Sequence, residues 1–238
     1  MKSLLLIFFT TSLWAGPITL PGEDYSLNDV AELGLSKEEL FKKMDRDFIK
    51  LGGSICANRA HMWSYDFKRT HDIDSAKMFL FYTKKTGEGT VKTWWYHVTP
   101  VINEKSELFT MDAGFSGIKK PLKPKEWLHY FTGSQNCREI QDTDTGLIKR
   151  MFQGSVYPET TEYGTYDCYY RIVPAGYWFP SSVAMHLLGQ DSAGVPTRFE
   201  RPEINKNEVY SACLEAVTGS LGRLVGSGRK KCRQFVGE

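Results

Sequence analysis

Apolar positions follow a helical period early in the chain and a strand-like period in its middle. Leu40, Phe41, Met44, Phe48 and Leu51 form one stripe at helical spacing. Ser36-Lys37-Glu38-Glu39 precedes it as a capping box, with Ser36 placed to accept from the Glu39 amide. Gly52-Gly53 follows and predicts the helix end. A second helix is predicted over residues 55–68, with Cys56 in its first turn. The pattern then turns to strands. Residues 77–84 and 90–102 are rich in β-branched and aromatic side chains and flank a turn at Gly87-Glu88-Gly89. The polar break Asn103-Glu104-Lys105-Ser106 precedes a third strand through Asp112. Pro124 predicts a helix start, with Gly133 as its end. Residues 134–167 are polar and predict loops. Residues 168–173 predict a strand. Val209, Cys213, Leu214, Val217 and Leu221 line one face of a helix over residues 207–225. The basic tail, residues 229–233, predicts a solvated end tied by a disulfide. Without repeats or low-complexity linkers, this order predicts one α+β domain.

The opening of the chain predicts export. Lys2 precedes a short apolar run at Leu4-Leu5-Leu6-Ile7-Phe8-Phe9, and Ala15 offers a small-residue cut site. Residues 1–15 are therefore expected to be a signal peptide, and the mature protein is expected to be secreted or periplasmic, without membrane as a partner. Residues 16–35 predict an extended leader, and residues 16–50 comprise leader and first helix. Charge changes the picture by exclusion. The 30 basic side chains nearly balance 28 acidic ones, so the clustered positive surface needed for nucleic acid is not indicated. Export also bears on the five cysteines, Cys56, Cys137, Cys168, Cys213 and Cys232. An oxidising compartment favours pairing, and an odd count leaves one over. Cys56 stands apart in sequence. The other four allow three pairings, of which Cys137 with Cys168 and Cys213 with Cys232 join neighbours along the chain. The alternative puts Cys56 in a bridge and frees a later cysteine.

The candidate chemistry centres on Cys56. The start of a helix carries partial positive charge and amides without intrahelical partners. Both favour thiolate, and the amides can hold an oxyanion. His97 lies within the second strand. Pairing about Glu104-Lys105 places it directly opposite Asp112, close enough for the carboxylate to accept from the imidazole. His61, His71, His129 and His186 lie on other faces or in charged loops. No ligand spacing suggests a metal, and no glycine-rich phosphate loop suggests a nucleotide; no cofactor is expected.

Cys56-Ala57-Asn58-Arg59-Ala60-His61 resembles the C-x-x-R-A-H segment around the nucleophile of bacterial protein-glutaminases, and Trp94-Trp95-Tyr96-His97-Val98 resembles their W-x-Y-H-V strand. Asp112 falls where that family places its aspartate, although Ala113 stands where proline usually follows. The resemblance covers about residues 53–115. It implies a papain-like or transglutaminase-like α+β core, the nucleophile at the start of a helix packed on an antiparallel sheet, with Cys56, His97 and Asp112 as catalytic residues. It also implies a glutamine-containing protein or peptide as substrate, deamidated through a thioester. Ser54, Trp94 and Trp95 become candidate substrate-binding residues; the tryptophans otherwise belong to core and sheet packing. Arg59 and His61 are expected to brace the helix. Residues 16–50 offer a possible masking segment, and residues 51–238 a catalytic domain. Three other readings remain: a transglutaminase, a papain-like peptidase, and a secreted binding module held by disulfides.

Overall fold

The computed structural model describes residues 16–20, 24–45, 55–87, 95–153, 165–189, 203–218 and 226–237. Residues 1–15, Ser54 and Trp94 lie outside them, as do Phe48, Leu51 and Gly52-Gly53. Among the described residues the chain is a mixed α+β fold built on a five-stranded sheet. Its elements are β3 (Ala76–Tyr82), β4 (Tyr96–Glu104), β5 (Glu107–Thr110), β6 (Cys137–Glu139) and β7 (Cys168–Pro174), in spatial order β5-β4-β3-β7-β6. Every neighbouring pair is antiparallel except β6 with β7. The central strand β3 is buried along its whole length, which explains its continuous apolar run.

The first helix, α1 (Lys37–Asp45), starts where the capping box predicts: the Glu39 amide donates to Ser36 Oγ at 3.3 Å. Leu40, Phe41 and Met44 are buried. The expected extended leader is instead a small hairpin, β1 (Ile18–Thr19) with β2 (Ser26–Leu27). Short strands with Pro and Gly between them give no alternating run long enough to read. Leu20, Leu27 and Val30 join α1 in the same buried cluster as Trp63, Met78 and Phe109. Residues 16–45 thus share the core of the domain. Lys37 closes this contact by reaching Glu104 at the end of β4 with its amine and its amide.

The second helix, α2 (Cys56–His71), is followed by β3, the short α3 (Lys84–Gly87), and α4 (Pro124–Thr132) after β5. Gly133 ends α4 with φ 66° and its amide on the His129 carbonyl, as the sequence predicts. Residues 134–167 depart from the expected loop. They include β6 and α5 (Thr145–Gln153). The three residues of β6 are too few for a period, and their pairing comes from β7. The chain continues as α6 (Pro180–Leu188), α7 (Lys206–Thr218) and α8 (Gly226–Val236). The basic tail is thus a helix, with Cys232 and Val236 buried against the core.

Disulfides join Cys137 to Cys168 and Cys213 to Cys232. The first links facing residues of β6 and β7; the second ties α8 to α7. Cys56 is outside both. A bridge closing 19 residues constrains the unfolded chain by about 3 kcal/mol. The double variant Cys213→Ala/Cys232→Ala should lose about that stability in urea unfolding; an unchanged midpoint would show that α8 needs no covalent tie.

Candidate active site

Cys56 is the first residue of α2. Ile55 precedes it in extended conformation and makes no side-chain cap, and no acidic residue occupies the first turn. The amides there are therefore uncommitted to side-chain caps, and the dipole is not offset by a carboxylate. The residue is half-buried, and its sulfur lies inward against β4, where it meets His97 and the amide of Val98.

His97 is fully buried and Asp112 nearly so. His97 Nε2–H donates to Asp112 Oδ2 at 2.7 Å, which leaves Nδ1 for the sulfur. The register behind this contact differs from the expected one. The turn falls at Lys105-Ser106, so Glu104 faces Glu107 and Val101 faces Thr110. Both turn residues have positive φ, 55° and 61°, the geometry of a tight hairpin turn. Strand β5 ends at Thr110, and one further bond joins the Met111 amide to the Pro100 carbonyl. Continued once more, that register sets Asp112 opposite Thr99, two residues from His97. A shift of two preserves the face of a pleated strand, where a shift of one would reverse it. The carboxylate therefore reaches the imidazole diagonally.

Three aromatic rings enclose the imidazole. Trp127 stacks on it at 5.3 Å, Phe131 lies at 4.5 Å, and Phe115 stands edge-on at 5.0 Å. Trp127 and Phe131 come from one face of α4. Trp127 Nε1–H also donates to Asp112 Oδ2 at 3.0 Å, so a second donor fixes the oxygen that holds His97. Neither Trp127 nor Phe131 carries a signal in the sequence. They lie well beyond the motifs and read as an amphipathic helix.

The electrostatics favour a charged pair. Burial works against an imidazolium at His97, but Asp112 and Cys56 outweigh it and raise its pKa to about 9. Burial likewise opposes a thiolate at Cys56. The hydrogen bond and charge of His97, the charge of Arg59 and the Val98 amide outweigh it and hold the thiol below its ordinary range. Between those two limits sulfur and ring carry opposite charges.

His61 belongs to a separate buried contact. It is stacked on Trp178 at 5.4 Å, with Nδ1 at 2.7 Å from the Lys77 amine, which donates to the Tyr177 carbonyl at 2.6 Å. Burial, then the Lys77 charge, drives the ring pKa to about 2. The ring is neutral, and its 3.7 Å approach to Glu208 is not an ion pair. Trp95 packs against Tyr96 at 4.5 Å and Phe81 at 6.1 Å, half-buried at the start of β4. Residues 16–45 touch the far end of α2: Asn28 donates to the Asp72 carbonyl and Tyr25 to that of Ser75. Sixteen residues of helix separate that end from Cys56, about 24 Å. Among the described residues no cluster of His, Cys, Asp and Glu could hold a metal, and no helix is long and apolar enough to cross a membrane.

Comparison with known proteins follows this geometry. No curated protein matches the chain. A solved structure of protein-glutaminase from Chryseobacterium proteolyticum aligns with 78% of this chain and 84% of its own, at 13% identity and a TM-score of 0.40. Residues 37–131 match the family described as glutaminase. That stretch holds Cys56, His97 and Asp112, and the family is the one its two motifs resemble.

Proposed function

We propose that the protein is an exported cysteine hydrolase that deamidates protein-bound glutamine. The observation that carries this reading is the buried His97, bonded to Asp112 and in contact with Cys56 at a helix start, within a stretch that matches the glutaminase family. The Cys56 thiolate attacks the side-chain carbonyl of glutamine. Amides of the first turn of α2 hold the oxyanion. His97 gives its Nδ1 proton to the departing ammonia, leaving a thioester. Now neutral, His97 takes a proton from water, and the hydroxide releases glutamate and restores the thiolate. Asp112 orients the ring and stabilises its charged form. Trp95 borders the glutamine slot in this reading; Ser54 and Trp94, the other candidates for substrate binding, lie outside the described residues. Two disulfides fit an oxidising compartment, and with the opening sequence they support export.

A glutamine-containing protein incubated with the enzyme should release ammonia and gain the mass of an amide-to-acid exchange, with or without a lysine analogue present. Cys56→Ser and His97→Ala should each lower turnover by ~100-fold or more. Chain cleavage or amine incorporation would instead identify a peptidase or a transglutaminase.

The pH profile follows from the two charged groups. Turnover rises with pH as Cys56 deprotonates, below the ordinary thiol range, and falls as His97 loses its proton near pH 9. Because Asp112 raises the His97 value, Asp112→Asn should bring the falling limb to lower pH. A falling limb that stays in place would show that another group sets it.

Trp127→Phe keeps the ring and removes the donor to Asp112. The lost bond to a charged group is worth about 1.5 kcal/mol, roughly tenfold in kcat. Unchanged kcat in a folded variant would remove Trp127 from the site.

A further inference from the structure

Arg59 is three residues after Cys56, so the two share a face at the start of α2. Its guanidinium carbon lies 5.9 Å from the centre of the Phe115 ring. Phe115 is in turn the ring that stands edge-on to His97. Between them, Gly114 has no side chain where one would collide. A Cβ added there would lie 2.7 Å from Arg59 Nε and 3.1 Å from Cζ and Nη2. Gly114 does not adopt the left-handed conformation that demands glycine. Its missing side chain therefore serves the approach of Arg59 rather than the backbone.

We propose that Arg59 is a positioning residue: its guanidinium clamps the turn bearing Asp112, Gly114 and Phe115 onto the first turn of α2 and fixes a positive charge beside Cys56. This rests on the reading of Cys56 as nucleophile. The three reacting or orienting groups come from a helix, a strand and the turn after β5. Hydrogen bonds join His97 to the turn through Asp112, and Arg59 joins the turn back to the helix. The charge has a second consequence. His97 must surrender its proton when ammonia leaves, whereas a guanidinium keeps its proton throughout. At the thioester stage the sulfur is acylated and the imidazole neutral, and Arg59 is the positive charge already in place for the thiolate that leaves when water breaks that bond.

The test reads the sulfur directly. Cys56, outside both disulfides, is alkylated with iodoacetamide in the intact protein across a pH series, with the site verified by peptide mapping and the fold by near-ultraviolet circular dichroism. Arg59→Gln should move the labelling midpoint upward by about one pH unit, the size expected for removing a nearby opposite charge. Arg59→Lys should recover only part of that. Gly114→Ala keeps the charge but pushes away the end of a flexible side chain, so it should move the midpoint in the same direction by less. The double variant Arg59→Gln/Gly114→Ala should move it no further than Arg59→Gln alone. A folded Arg59→Gln protein with the parent midpoint would overturn the proposal. So would a Gly114→Ala effect that persists undiminished on top of Arg59→Gln. Labelling needs no substrate, so a parent protein that labels as described yet deamidates nothing would sink the functional reading and leave the clamp standing.

Discussion

An imidazole sealed from water tends to lose its charge, and the site depends on preventing that at His97. Desolvation alone would push the ring toward neutrality. The 2.7 Å bond to Asp112 reverses the balance. The carboxylate is itself buried and would be costly without partners. His97 and the Trp127 indole both donate to it. Charge on the ring then helps hold charge on the Cys56 sulfur, so these buried groups depend on one another.

The surroundings are built to keep that arrangement in place. Trp127, Phe131 and Phe115 exclude water from the ring and fill the space into which it could rotate. A dry setting strengthens each electrostatic contact and raises the cost of any missing one. Two of the three rings belong to α4, whose ends are set by Pro124 and Gly133. Helix packing and site chemistry therefore share the same residues.

The helix that carries Cys56 is secured from other directions. Asn58, two residues after Cys56, donates to Glu215 of α7 at 2.8 Å and accepts from Trp178 at 3.1 Å. Helix α7 is joined to α8 by the second disulfide. At the opposite end of α2, residues 16–45 bind its C-terminal turn and the end of β4. The hairpin turn at Lys105-Ser106 is held to that segment through Asp29, whose carboxylate accepts from the Lys105 amide. The early part of the chain thus supports the same strand pair that presents His97 and leads to Asp112.

Local signals were enough for much of this protein. The capping box at Ser36, the buried run of β3, the glycine after α4 and the placement of Cys56 at a helix start all follow from short-range rules of spacing and backbone preference. The association of Cys56, His97 and Asp112 was also legible, because a hairpin confines two segments near in sequence to one face. The register was not. Both turn residues adopt positive φ without being glycine, and the strand pair slid by two positions, a change the period of a strand does not reveal. The hairpin at the start stayed hidden because its two-residue strands carry no period, and short β6 and the tail helix because each leans on a partner elsewhere in the chain. The same holds for the donor from Trp127, the enclosing rings of α4 and the approach of Arg59 to Gly114. Sequence alone determined which side chains are chemically suited to react, since that is a matter of side-chain chemistry and local backbone. Only tertiary packing decided how dry they are, which oxygen holds the ring and what charge each carries, because those depend on atoms brought together across the chain.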